Sequence, residues 1–193
     1  MSLKALQVAS EAHKNQVRDY TGEAYIMHPL RVSGRLQFEL RRDSNEDVQR
    51  EFCFTREQMI DAALLHDTIE DTDITFGDLE HIFGFDVASL VYKLTNVSIL
   101  EKHKKKSRKD RKALDFAHIR EGGDAAHLIK LIDRLDNLKD MNGAKGSFLK
   151  LYSKESLDLV WHIDVHARQS DKIAKLREEV IFWAGRMAER AEG

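Results

Sequence analysis

Proline occurs once in this chain of 193 residues, cysteine once (Cys53), glycine ten times, and aromatic residues make up only 8%. A lone cysteine excludes an internal disulfide and suits a reducing compartment. Long apolar runs are missing too. No stretch approaches the ~18 consecutive apolar residues of a membrane span, and the opening MSLKALQVAS lacks the apolar run of a secretory leader. The expectation is a cytoplasmic protein with no membrane partner. Charge of one sign is not in excess either: 31 basic residues stand against 33 acidic ones, a net charge of −2. The molecule therefore has no global attraction to nucleic acid, which is disfavoured as a partner, and any phosphate binding must be local. No internal repeat or low-complexity linker divides the chain, and its length fits one domain that buries about 70% of its unfolded surface.

What is abundant is Leu, Ala, Lys, Arg and Glu, a mixture that favours helices. The spacing predicts an all-α bundle of roughly eight or more helices. The first covers residues 3–17, with Leu6, Ala9, His13 and Val17 on one face. A loop around Thr21-Gly22 follows, and Pro29 stands in the first turn of a second helix that carries Leu36 and Leu40. RRDSNED (41–47) reads as a solvated loop. Thr55-Arg56-Glu57-Gln58 fits a capping box and starts a helix from Arg56 to Asp67. Thr75 starts another that Gly84 stops, and Asp86 caps a third with Val87, Leu90, Val91 and Leu94 on its buried face. The basic run 102–112 cannot be core and reads as a mobile solvated loop. Gly122-Gly123-Asp124 introduce a strongly apolar helix, and Ser147 and Ser170 are placed to cap the last two helices, within 147–191. Phe182, Trp183 and Met187 read as core, with a helix-pairing surface as the alternative.

The stretch AALLHDTIEDTD (62–73) runs an apolar helix straight into His66, Asp67, Glu70 and Asp71. Adjacent helical residues point about 100° apart, so His66 and Asp67 can reach one point only near a helix end or a distortion. If the helix continues, Glu70 stacks on His66 and Asp71 on Asp67. Unpaired ionised carboxylates beside a core cost several kcal/mol each or protonate, and a divalent cation removes the problem. Taken alone, His66 reads as a cap or a satisfied core histidine. Asp133 shifts the balance, because it lies in LIKLIDRL (128–135), where apolar residues occupy most helical faces and a carboxylate needs a partner. His28, held before Pro29, is a second imidazole. Two histidines and two aspartates suit a first-row divalent metal.

With these residues in hand, the adjacent His66-Asp67, His28 upstream and Asp133 downstream resemble the HD-domain phosphohydrolase superfamily. AHKNQVRDYTGEAYIMHPLRVSGRL (12–36), AALLHDTIEDT (62–72) and LIKLIDRLDNL (128–138) are most similar to the hydrolase domain of the RelA/SpoT homologues and their small stand-alone alarmone relatives. The resemblance spans about residues 5–140 and implies a single metal-dependent phosphohydrolase domain over 1–193. The implied reaction is removal of pyrophosphate from the 3′ position of guanosine tetra- or pentaphosphate. It implies His28, His66, Asp67 and Asp133 as ligands of manganese, with iron, zinc, cobalt or magnesium open. Glu70 and Asp71 match the family's catalytic acidic pair. Arg18 and Asn137 match nucleotide contacts, as more weakly do Arg134 and Lys139; for Arg18 and Lys139 a solvated surface cation is the alternative.

Two positions depart from the pattern. Where the alarmone hydrolases carry histidine and threonine, this chain has Asp136 and Asp140. Extra negative charge weakens binding of a polyphosphate unless those carboxylates face away or are neutralised. The alternatives are therefore another nucleotide substrate (a deoxynucleotide, a nicotinamide dinucleotide phosphate or a nucleoside monophosphate) or a non-catalytic module whose basic run binds nucleic acid. A lid that neutralises the leaving pyrophosphate is a further reading of residues 102–112.

Overall fold

Hydroxyl side chains start most of the early helices. In a computed structural model that describes residues 1–99, 105–141, 143–164 (the side chain of Asp164 aside) and 170–192, Ser2, Ser44, Thr55 and Thr75 each accept a hydrogen bond from a backbone N–H in the first turn that follows. They open α1 (Leu3–Ala12), α3 (Asn45–Phe52), α4 (Arg56–Leu65) and α6 (Phe76–Phe83). The remaining α-helices are α2 (Met27–Leu40), α5 (Thr68–Asp71), α7 (Phe85–Leu94), α8 (Arg108–Arg120), α9 (Asp124–Asp140), α10 (Gly146–Asp164) and α11 (Asp171–Arg190), with a 3₁₀ turn at Val97–Ile99. Among the described residues there is no strand beyond one antiparallel bridge between Val17 and Ala24. None of these helices is long and apolar enough to cross a membrane.

Helix α9 is the axis. Every residue from Ala125 to Leu135 is buried, and α2, α7, α8, α10 and α11 pack around it, while α4 lies between α2 and α7. Helix α4 is buried all round from Met59 to Leu65, so the chain delivers His66 into the interior rather than to solvent. Leu64, Leu65, Leu128, Ile129 and Leu131 are fully buried beside it, each stabilising the fold by about 1.5–3 kcal/mol through removal of apolar area from water. The hairpin of α10 and α11 closes the other side of α9.

Several boundaries differ from expectation, each for a local reason. The first helix stops at Ala12 because the chain turns at His13 and returns through the Val17–Ala24 bridge. The stretch 41–47 is not all loop: Ser44 and Asp47 form a reciprocal capping box that starts α3 despite its polarity. Gly84, with φ 83°, both ends α6 and precedes α7, a backbone conformation that disfavours a side chain, so Asp86 lies inside α7 rather than capping it. Residues 102–104 of the basic run lie outside the described residues; from Arg108 it is helix rather than loop, with Ser107 accepting from Asp110 N. Ser147 lies within α10, and Ser170 makes no cap bond, its hydroxyl donating instead to Glu51 Oε1 at 2.6 Å. Met187 is core, Trp183 half-buried and Phe182 exposed.

Candidate metal centre and the adjoining cavity

Three elements meet at one point. Helix α4 ends at Leu65, and the break before α5 lets His66 and Asp67 face the same way. Helix α2 brings His28 from its first turn, and α9 brings Asp133. His28, His66 and Asp67 each offer a ligand atom within 4.8 Å of the other two. Asp133 Oδ1 lies 3.3 Å from His28 Nε2 and 3.8 Å from His66 Nε2, and Asp67 Oδ2 lies 3.5 Å and 3.1 Å from the same two atoms.

Both Nε2 atoms are buried without a hydrogen-bond partner, whereas both Nδ1 atoms are held, His28 by Asp136 Oδ2 at 2.7 Å and His66 by the Ala63 carbonyl at 2.8 Å. An imidazole anchored through one nitrogen, with the other bare and aimed at carboxylates, is arranged as a metal ligand. The donor set of two nitrogens and two carboxylate oxygens fits a divalent first-row ion.

Without a cation, the cluster balances itself with protons. Burial works against charge on His66 and His28, but Asp67 and Asp133 outweigh it, lifting His66 to about 10 and His28 above its usual range, where Asp136 contributes as well. Burial likewise opposes ionisation of the two aspartates, yet His66 holds Asp67 well below the carboxylate range, and Lys130, 3.0 Å away, does most to hold Asp133 there. Glu70 and Asp71 move the other way: burial pushes Glu70 up, partial desolvation does the same to Asp71 at the cavity edge, and the charge of Asp67 adds to both.

Of the two expected stacks, Asp71 does follow Asp67, its N–H donating to the Asp67 carbonyl at 2.9 Å and its carboxylate meeting that of Asp67 at the Tyr25 hydroxyl. Glu70 has both oxygens taken by Asn96, through its backbone N–H at 3.0 Å and its side-chain amide at 2.7 Å. Asp71 is exposed and lines a cavity of about 530 Å³ together with Arg18, Tyr20, Tyr25, Asn137, Phe148 and Tyr152 among others. Asn137 ties this cavity to the cluster, its amide donating to Asp133 Oδ1 at 2.6 Å while its oxygen accepts from Arg18 at 2.7 Å.

Both departures find partners. Asp140 accepts from Arg18 Nε at 2.7 Å, and Asp136 takes a fork from Arg31 at 2.8 Å and 3.1 Å besides its bond to His28. Neither carboxylate is an uncompensated charge facing a phosphate. Arg134 and Lys139 do not line the cavity: the Arg134 guanidinium is buried 4.4 Å from the Tyr152 ring centroid, and Lys139 is exposed with its ammonium 5.5 Å from that of Trp183. Sequence reasoning missed Tyr25, Asn96, Lys130, Phe148 and Tyr152. Only Lys130 left a trace, as a cation three residues before Asp133 in an apolar run.

The chain is similar to proteins of known family and structure. The HD domain family model matches residues 5–163. Guanosine-3′,5′-bis(diphosphate) 3′-pyrophosphohydrolase MESH1 of Drosophila melanogaster is 38% identical over 140 residues, 72% of this chain and 68% of that protein. The guanosine-3′,5′-bis(diphosphate) 3′-pyrophosphohydrolase of Aquifex aeolicus is 35% identical over 156 residues, 81% of this chain but only 20% of the longer protein. A solved structure described as a metazoan ortholog of SpoT that hydrolyses ppGpp superposes with a TM-score of 0.71 at 29% identity, covering 96% of this chain and 97% of the other.

Proposed function

The chain belongs to the HD-domain family, and from that premise we propose that it hydrolyses guanosine 3′,5′-bis(diphosphate), or its pentaphosphate, to GDP or GTP and pyrophosphate. The observation that carries this reading is the pair of bare, buried Nε2 atoms of His28 and His66 facing Asp67 and Asp133 beside a nucleotide-sized cavity. The activity named for the Drosophila and Aquifex relatives, and described for the solved structure, supports the substrate.

His28, His66, Asp67 and Asp133 would hold one divalent metal, manganese by family resemblance, which supplies a Lewis acid for charge developing on the phosphoryl oxygens. Asp71, whose carboxyl is pushed up by desolvation and by Asp67, takes the proton of the attacking water, and Glu70, held by Asn96, orients that water. Attack falls on the phosphorus bonded to the ribose 3′ oxygen, which departs and regains a proton. Arg18 and Asn137 hold the nucleoside, and the aromatic side chains of Tyr20, Phe148 and Tyr152 wall the cavity that receives it. Residues 1–193 act as one cytoplasmic catalytic unit, α10 lending Phe148 and Tyr152.

The test is release of pyrophosphate from guanosine tetraphosphate, run beside a deoxynucleotide, a nicotinamide dinucleotide phosphate and a nucleoside monophosphate. Turnover of the tetraphosphate is expected to dominate. No turnover of it, with brisk turnover of another compound, overturns the substrate while leaving the metal centre standing.

A further inference from the structure

Tyr25 lies where the metal centre, the acidic pair and the cavity meet. It ends a short hairpin fixed by Tyr25 N to Gln16 O at 2.9 Å, Arg18 N to Glu23 O at 2.8 Å and the Val17–Ala24 bridge. Its ring stacks on buried His13 at 4.8 Å between centroids, meets the edge of His28 at 5.9 Å, and has the Arg18 guanidinium 5.5 Å from its centroid. Its hydroxyl lies 2.7 Å from Asp67 Oδ2 and 3.1 Å from Asp71 Oδ2.

One hydroxyl carries one proton, so it can satisfy only one of these carboxylates at a time. Asp67 Oδ2 already faces both bare imidazole nitrogens. Asp71 has no other side-chain donor among the described residues, and the same hairpin holds its main chain, Gln16 Nε2 donating to Asp71 O at 2.7 Å. Gln16 is braced in turn, its Oε1 accepting from His13 Nδ1 at 2.7 Å. The hairpin therefore grips Asp71 twice, once at the backbone and once at the carboxylate. Burial, Asp67 and Asp71 all push the Tyr25 pKa far upward, so the hydroxyl keeps its proton.

We propose that Tyr25 is a positioning residue for Asp71: were Asp67 to hold a cation, the hydroxyl would turn to Asp71 and fix the carboxylate that takes the proton of the attacking water. This rests on the proposed function for its chemistry but not for its geometry. The hairpin also carries Arg18, so a nucleotide held by Arg18 is presented by the same element that aims the carboxylate.

The experiment is a double-mutant cycle with Tyr25→Phe, which keeps the ring against His13, and Asp71→Asn. Tyr25→Phe is expected to lower kcat on the tetraphosphate by about tenfold or more, the range for loss of a hydrogen bond to a charged group, with KM and bound metal unchanged. In the Asp71→Asn background it should have no further effect. A full loss in both backgrounds, or loss of metal, overturns the proposal by showing that Tyr25 serves Asp67. A crystal structure of metal-loaded Tyr25→Phe gives an answer that does not depend on the substrate: Asp71 should leave its wild-type position, and an unmoved carboxylate overturns the proposal even if the nucleotide assignment fails.

Discussion

The metal centre and the cavity beside it meet opposite electrostatic problems. At the centre, two carboxylates and two imidazoles are packed into the core with their bare nitrogens converging, an arrangement that protons balance in the absence of an ion and that suits a divalent one. In the cavity, the one cation among the described lining residues is already paired: Arg18 is tied to Asp140 and Asn137, and its side chain is only 11% exposed. Convergent imidazoles and carboxylates suit an ion, whereas a cation that is already matched engages a ligand by exchange of partners. Substitutions in the two regions should therefore fail in different ways.

The largest effect is expected from His66→Ala and Asp67→Ala, which should each abolish metal retention and cut turnover by at least about 10³-fold. Circular dichroism should show the helices intact, because the core is built by Leu64, Leu128, Ile129 and their neighbours. Global unfolding of both variants would mean that the cluster is a structural device. Next comes Glu70→Gln, which should keep the metal and lose about 10²-fold in rate; a fall in metal content would make Glu70 a ligand.

The pH dependence separates metal-free from loaded protein. His66 is raised to about 10 from its unfolded value near 6.5, so its contribution to stability is fully present below about pH 6.5 and is lost as pH rises through 10. Thermal melts of metal-free protein should fall across that window, and the fall should vanish when the ion replaces the proton. A flat metal-free profile would show that His66 is neutral throughout.

The smallest effect belongs to the cavity. Asp140→Asn removes a negative charge and frees Arg18, and should lower KM for the tetraphosphate by about threefold at low salt, the gain shrinking as salt rises. A raised KM would show that Asp140 is needed to aim Arg18.

This division also describes what could be read in advance. His66, Asp67, His28 and Asp133 stood out because ionisable residues in apolar surroundings demand a reason, and the Thr55 box and Gly84 were legible because capping is local chemistry. The helix α3 was hidden because its capping box lies in a segment too polar to show an apolar face. Tyr25 and Asn96 were hidden for a different reason. Their partners, Asp67, Asp71 and Glu70, are 26 to 46 residues away, and nothing in their own surroundings marks a tyrosine or an asparagine as bonded to a carboxylate. The meaning of Asp136 depended likewise on Arg31 and His28, 105 and 108 positions upstream.

The most direct test is calorimetric titration of metal-free protein with manganese, in the wild type and in Asp133→Ala. One ion per chain, bound with release of protons in the wild type and not retained by the variant, is the predicted result. No saturable binding, or equal binding by both proteins, would contradict the convergence of these four side chains on one cation.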